Sequence, residues 1–123
     1  MRKRDAQGVI INTSSVAAFN PMPADPAYST SKAGILNFTQ SCKPLHEAFD
    51  VRVNAVCPGV VNSERLIKRM AENGTTEEVA RSVPLGRIGD VSEVASACLF
   101  LASDLASYIT GASLDVNGGA AML

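Results

Sequence analysis

Histidine is scarce in this sequence, and His46 is its only copy. A Ser-His-Asp hydrolase would need that residue as its general base, and the chain has no Gly-x-Ser-x-Gly turn to carry the nucleophile. A structural zinc site needs four ligands, commonly including a Cys-x-x-Cys pair, and no such pair occurs. These absences disfavour both a triad hydrolase and a zinc protein.

Cysteine is also sparse, and its three copies, Cys42, Cys57 and Cys98, are far apart in apolar surroundings. An odd number of separated cysteines predicts buried free thiols rather than disulfides. The sequence has no signal peptide and no apolar run of the roughly 18 residues that cross a bilayer. We therefore expect a cytoplasmic protein with no membrane partner.

Neither sign of charge is in excess, because 11 basic residues oppose 12 acidic ones and the net charge is −1. This balance gives no indication of a nucleic-acid partner. The basic segment Met1–Arg4 is interpreted as a solvated helix end or a cut-off segment, in preference to a targeting signal. Hydrophobic residues make up 46% of the chain, enough for one domain over residues 1–123.

Three short apolar runs predict strands. Gly8–Thr13 is nearly continuous and β-branched, which is typical of a strand buried on both faces of a parallel sheet. Val51–Val56 and Ser113–Val116 are the other two, ended by Pro58-Gly59 and Asn117–Gly119. The intervening segments have helical patterns, so we expect an α/β fold with about three parallel strands and flanking helices. A sheet of only three strands would leave one edge strand hydrophobic and without a hydrogen-bonded neighbour.

The first helix is expected to begin near Tyr28 and to end or kink near Cys42-Lys43, because Pro44 follows. The polar stretch 62–82 predicts two short helices with a break at Asn73-Gly74.

Two further helix starts carry capping signatures, Thr75 with Glu78 and Asp90 with Glu93. Behind Asp90, apolar residues at spacings of three and four predict an amphipathic helix whose buried face comprises Val91, Val94, Ala95, Cys98, Leu99 and Ala102.

One constellation carries chemistry: Ser15, Tyr28 and Lys32. Residues four apart lie on one face of a helix, so the phenol and the ammonium are neighbours. Ser15 ends an apolar run and can point its hydroxyl into the same space. A phenol, a cation and a hydroxyl that converge can move a proton on and off a carbonyl oxygen. A half-buried tyrosine, a surface lysine and a loop hydroxyl are the alternatives.

These residues are part of six blocks, in one order along the chain, that resemble the short-chain dehydrogenase/reductase family, and its classical members in particular. The blocks are Ile11–Ser15, Tyr28–Ala33, Val51–Gly59, Pro84–Arg87, Phe100–Ser103 and Ile109–Gly111.

The resemblance implies a doubly wound Rossmann fold of which this chain is similar to the second half only. The Gly-rich loop that holds the cofactor pyrophosphate in the family would lie before Met1, as would the residue that chooses between NAD and NADP. The resemblance therefore implies NAD or NADP as cofactor, without indicating which. It also implies a small carbonyl or alcohol substrate and a homo-oligomer.

The resemblance also implies site roles. Tyr28 would be the general acid/base, Lys32 would favour its phenolate and bind the nicotinamide ribose, and Ser15 would hold the substrate oxygen. Pro58, Gly59, Val61 and Ser63 would contact the nicotinamide end of the cofactor, although Ser63 is equally suited to be a helix N-cap.

Two functions remain open. The first is an oxidoreductase that transfers hydride between NAD(P) and a ketone or secondary alcohol. The second is a truncated, inactive relative that acts only by associating with a full-length member of the family, for which an exposed sheet edge would be suited.

Overall fold

The computed structural model describes residues 8–121, which form a three-stranded parallel sheet with helices on both faces. Strand β1 (Gly8–Thr13) pairs with β2 (Val51–Pro58), and β2 pairs with β3 (Ser113–Val116). The predicted α/β class and all three strands are confirmed. The basic segment Met1–Arg4 lies outside the described residues.

The connections between the strands are helical. None of the helices within residues 8–121 is both long and apolar enough to cross a bilayer. They are α1 (Pro26–Ser41), α2 (Lys43–Phe49), α3 (Glu64–Asn73), α4 (Thr76–Ser82) and α5 (Val91–Ala102), with short 3-10 turns at Val16–Ala18 and Asp104–Ala106.

Pro44 separates α1 from α2, as its lack of a backbone donor predicts, and it occupies the first turn of α2. Gly74 ends α3 in the left-handed conformation at φ 65°, which confirms the predicted break. The capping box of Asp90 and Glu93 is complete. The one expected at Thr75 is wrong, because that residue has a ψ of 4°, outside the extended conformation that capping requires, and makes no side-chain cap bond.

Strand β2 forms the core of the sheet, with every residue from Val51 to Cys57 buried. Side chains alternate between its two faces. Val51 and Val53 pack beneath α2 with Cys42, and Val56 packs on the other face with Leu101 of α5. The strand is therefore fixed from both sides.

Strand β1 is less buried than its sequence predicts, since none of its six residues is buried and Ile10 is 38% exposed. Within the described residues β1 is an edge strand of the sheet and pairs only with β2. Continuous apolar sequence indicates a strand suited to burial on both faces, but burial also requires a neighbour on each side.

The buried side of α5 is rotated from the predicted one. Val94, Ala97, Cys98 and Leu101 face the core, whereas Leu99 is 72% exposed. Apolar residues surround more than one face of this helix, so spacing alone does not select the buried one. The prediction of buried free thiols holds for Cys42 and Cys57, and Cys98 is half-buried.

Arg52 joins β2 to the end of α5. Arg52 is only 4% exposed, and its guanidinium donates to the carbonyl oxygens of Leu101 at 2.9 Å and Ser103 at 3.2 Å. Carbonyl groups at a helix C-terminus lack intrahelical partners and carry partial negative charge, so a guanidinium satisfies them well.

We predict that Arg52→Met lowers the free energy of unfolding by about 3 kcal/mol, because buried hydrogen bonds to a charged group are lost together. The exposed Arg65→Met change is the control and should shift it by less than about 0.5 kcal/mol. Urea unfolding of both variants gives the measurement. Equal stabilities would contradict the assigned role.

Candidate active site

The carboxyl ends of β1 and β2 bring Ser15 and Pro58 to the same edge of the sheet. Thr13 lies opposite Val56, and the Ser14 N–H donates to the Val56 carbonyl at 2.8 Å. Ligands of open α/β sheets bind at this edge, beyond the strand ends.

Ser15 begins the 3-10 turn Val16–Ala18. Its Oγ accepts a hydrogen bond from the Ala17 N–H at 3.2 Å. A hydroxyl has one proton to donate besides its acceptor lone pairs. That bond fixes the Ser15 side chain and leaves its hydroxyl proton available to another acceptor.

Tyr28 lies in the first turn of α1, which Asp25 caps by accepting from the Tyr28 N–H at 3.0 Å. Pro26 begins the helix, where its fixed φ and missing donor are no disadvantage. The residue is 40% exposed, so the helix start presents the phenol at the surface of the site.

Lys32 lies one turn further along α1, as predicted. Its Nζ is 5.6 Å from the centroid of the Tyr28 ring and donates to the Thr13 carbonyl at 3.0 Å. The ammonium is thereby placed between the phenol and the end of β1. Within residues 8–121, no direct hydrogen bond joins Ser15 to Tyr28.

Gly59 has a packing role in the fold. Its N–H donates to the Val116 carbonyl at 3.1 Å, and a Cβ on it would lie 2.7 Å from the Cβ of Asn117. Side-chain atoms essentially never come that close. The turn that follows Pro58 therefore needs glycine so that the ends of β2 and β3 can approach.

The loop after Gly59 presents unused polar groups at Val61 and Ser63. Val61 lies opposite Gly89 in an isolated β-bridge. The two backbone hydrogen bonds of this bridge are made by the residues on either side of Val61: the Asn62 N–H donates to the Gly89 carbonyl, and the Gly89 N–H donates to the Val60 carbonyl. Ser63 occupies the N-cap position of α3 without a side-chain cap bond. Among the described residues, the Val61 N–H and the Ser63 hydroxyl are thus left without a protein partner.

Asn62 fastens this loop to the start of α5. Its Nδ2 donates to Asp90 Oδ2 at 2.7 Å, and its Oδ1 accepts from the Val91 N–H at 2.9 Å. Hydrogen bonds from Ser92 and Asn62 lower the pKa of Asp90 to about 2. The ion pair with Arg87, at 2.7 Å, likewise lowers the pKa of Glu93 to about 2.

Beneath the site, Cys57 and Asp115 are neighbours on β2 and β3. Burial, and then the charge of Asp115, raise the pKa of the Cys57 thiol, and partial burial raises the pKa of the Asp115 carboxyl. The thiol is fully buried, so it is a packing group and not a nucleophile.

Sequence reasoning missed the parts played by Thr13, Ser14 and Asn62. Each is an ordinary polar residue at a strand end or in a loop, and its role depends on a partner at least 18 residues away. The one available signal was their position at the end of an apolar strand, for Thr13 and Ser14, or in the loop that follows one, for Asn62.

Comparison with known proteins identifies the family of this chain. A family described as enoyl-(acyl carrier protein) reductase matches residues 1–121. An uncharacterized oxidoreductase of Thermotoga maritima is 38% identical over 121 residues, covering 95% of this chain and 48% of the relative. A 3-oxoacyl-[acyl-carrier-protein] reductase of Chlamydia trachomatis is 40% identical over 114 residues, covering 93% and 45%.

Solved structures give the same result. A short-chain glucose/ribitol dehydrogenase of Brucella melitensis superposes with a TM-score of 0.86 at 30% identity, over 98% of this chain and 47% of that one. An NADPH-bound short-chain oxidoreductase of Pseudomonas aeruginosa gives 0.85 at 36% identity, over 94% and 46%. The chain is a member of the short-chain dehydrogenase/reductase family, whose members are NAD(P)-dependent oxidoreductases. It spans about half the length of the relatives it matches.

We predict that Gly59→Ala destabilises the chain by about 1–3 kcal/mol, the usual cost of forcing atoms into a packed site. Gly34→Ala is the control, since its Cβ would meet nothing within 4 Å and alanine favours the helix. Thermal unfolding should therefore show a lower Tm for the first variant and an unchanged or higher one for the second. A Gly59→Ala protein as stable as the unmodified chain would contradict the packing role.

Proposed function

We propose that this chain carries the catalytic half of an oxidoreductase that interconverts a ketone and a secondary alcohol with NAD or NADP. The observation that supports it most is the position of the Lys32 ammonium, 5.6 Å from the Tyr28 ring. A cation at this distance favours the negative charge that forms on the phenol oxygen when the phenol gives up its proton.

In this mechanism Tyr28 is the general acid/base and Ser15 is the group that holds the substrate. A bound nicotinamide supplies or accepts the hydride. Ser15 donates its hydroxyl proton to the substrate oxygen and keeps it beside the phenol. In the direction of reduction, Tyr28 gives its proton to that oxygen, and Lys32 stabilises the phenolate that remains. In the direction of oxidation, the phenolate removes the proton from the alcohol.

The residues at the sheet edge fit the nicotinamide end of the cofactor. A carboxamide both donates and accepts hydrogen bonds. The Val61 N–H can donate one, and the Ser63 hydroxyl can donate or accept one; neither group has a protein partner among residues 8–121. Lys32 would bind the ribose hydroxyls beside Tyr28, and Pro58 and Gly59 would line the turn beneath. Residues 8–121 contain no Gly-rich strand-to-helix loop, so the proposed binding concerns this end of the cofactor.

The substrate is proposed only as a partly apolar carbonyl or alcohol. A cavity of about 490 Å³ between α3 and α4 is lined by Leu66, Met70 and Val79, with Arg69 and Glu78 at its side. Relatives are named for unlike substrates, among them L-rhamnose, acetoacetyl-CoA and a 3α-hydroxysteroid. The chemistry that these substrates share is a carbonyl or alcohol group, and the apolar part of the cavity lining favours a partly apolar substrate.

We predict that Tyr28→Phe lowers kcat for ketone reduction by about 10²–10⁴-fold, the usual contribution of a positioned acid/base. Tyr108→Phe is the matched control, because that side chain is fully exposed and its replacement should leave kcat unchanged.

Sequencing the coding DNA upstream of Met1 decides which protein to assay, the 123-residue chain or a longer one that contains it. Unchanged turnover in Tyr28→Phe would refute the proton-transfer role.

A second candidate is an inactive chain that works by association with a full-length relative or with a further copy of itself. The edge position of β1, with Ile10 38% exposed, favours it, because an unpaired strand edge recruits another strand. A cytoplasmic location stays a prediction under both candidates.

NADPH binding separates the two candidates. If the second is correct, titration of the 123-residue chain with NADPH, followed by the fluorescence of the nicotinamide, gives no saturable signal. Adding a purified full-length relative should then yield a mixed complex in size-exclusion chromatography with light scattering. Saturable NADPH binding by the chain alone would refute the second candidate and support the first.

A further inference from the structure

Lys32 is held at both of its ends by two consecutive residues. Its ammonium donates to the Thr13 carbonyl at 3.0 Å, and its backbone carbonyl accepts from the Ser14 hydroxyl at 2.8 Å. Ser15 follows directly. Three residues in a row therefore contact the lysine side chain, fix the lysine backbone and present a hydroxyl to the site.

Ser14 is well suited to be a fixed point. It is 3% exposed, and its N–H donates to the Val56 carbonyl of the buried strand β2 at 2.8 Å. Ser14 thus connects the sheet to the second turn of α1, through its backbone N–H on one side and its hydroxyl on the other. Burial protects this bond from competition by water.

The position of that turn matters because a lysine side chain is a flexible stem carrying a compact charge. Where its backbone lies determines which atoms the ammonium reaches. Displacing the Lys32 backbone from Ser14 would draw Nζ away from the Thr13 carbonyl, which belongs to β1 and would not move with the helix.

We propose that Ser14 is a positioning residue, whose hydroxyl fixes the Lys32 backbone so that the ammonium stays between the Thr13 carbonyl and the Tyr28 phenol. The catalytic consequence rests on the proposed function. The hold on the lysine itself does not depend on it and can be measured in the 123-residue chain.

The test is the rate at which acetic anhydride acetylates Lys32, followed by peptide mass spectrometry and divided by the rate at the exposed Lys68. In Ser14→Ala we expect this ratio to rise about fivefold, the equivalent of losing one hydrogen bond of roughly 1 kcal/mol. Ser14→Thr keeps the hydroxyl and should restore the ratio. If Ser14→Ala does not fold, Ser14→Cys, which keeps the volume but donates poorly, replaces it.

Thr39→Val is the matched control. Thr39 lies about two turns from Lys32 on α1 and is 1% exposed; its hydroxyl donates to the Ile35 carbonyl at 2.8 Å and accepts from Asn12 Nδ2 at 3.0 Å. It should lose similar stability and leave Lys32 labelling unchanged. Equal labelling of Lys32 in Ser14→Ala and the unmodified chain, or an equal rise in Thr39→Val, would overturn the proposal.

In a preparation that reduces ketones, Ser14→Ala should lower kcat about fivefold with little change in the KM of the ketone, because one hydrogen bond of roughly 1 kcal/mol is lost. If the unmodified protein shows no turnover, the proposed function fails, while the labelling result still decides whether Ser14 holds Lys32. If Ser14→Ala leaves kcat unchanged but makes Lys32 acetylation faster, the catalytic consequence is refuted, whereas the proposal that Ser14 holds Lys32 stands.

Discussion

The buried strand β2 is the constraint on which the rest of this structure depends. It is the only described strand with neighbours on both sides, and its residues from Val51 to Cys57 are all buried. Helices α1 and α2 pack on one face and α5 on the other. Its carboxyl end fixes where Ser14 lies and where the turn at Gly59 begins. The candidate site is therefore assembled around the most buried strand. Ser15, Val61 and Ser63 come from the loops that follow β1 and β2, whereas Tyr28 and Lys32 come from α1.

Hydrogen bonds between residues far apart in sequence then fix the loops and helix ends of the candidate site to the sheet and to α5. The strand-end residues Thr13 and Ser14 hold Lys32 on α1, and Asn62 holds the loop of Val61 against the start of α5. In each case a loop or helix end is fastened to an element that is already packed. Within residues 8–121, the Ser63 hydroxyl and the Val61 N–H have no protein partner, because the groups around them bond to one another.

Much of the fold could be predicted from sequence because it depends on local rules. The strands, the interruption at Pro44 and the stop at Gly74 follow from β-branched runs, a missing donor and a left-handed backbone. The edge position of β1 could not, since it depends on which strands lie beside it. The exposed Leu99 was misplaced because α5 is apolar on several faces. Within the site, the spacing of Tyr28 and Lys32 is a helical rule, whereas contacts with Thr13 and Ser14 require tertiary structure.

The link between Asn62 and Asp90 couples two positions 28 residues apart. One side must donate and the other must accept, because both also accept backbone N–H groups of α5. Two carboxylates would repel each other there, and two amides would leave one pair of donors facing another. The chemistry at each position therefore depends on the chemistry at the other. Replacing only one of the two residues would break the connection between the loop after β2 and the start of α5.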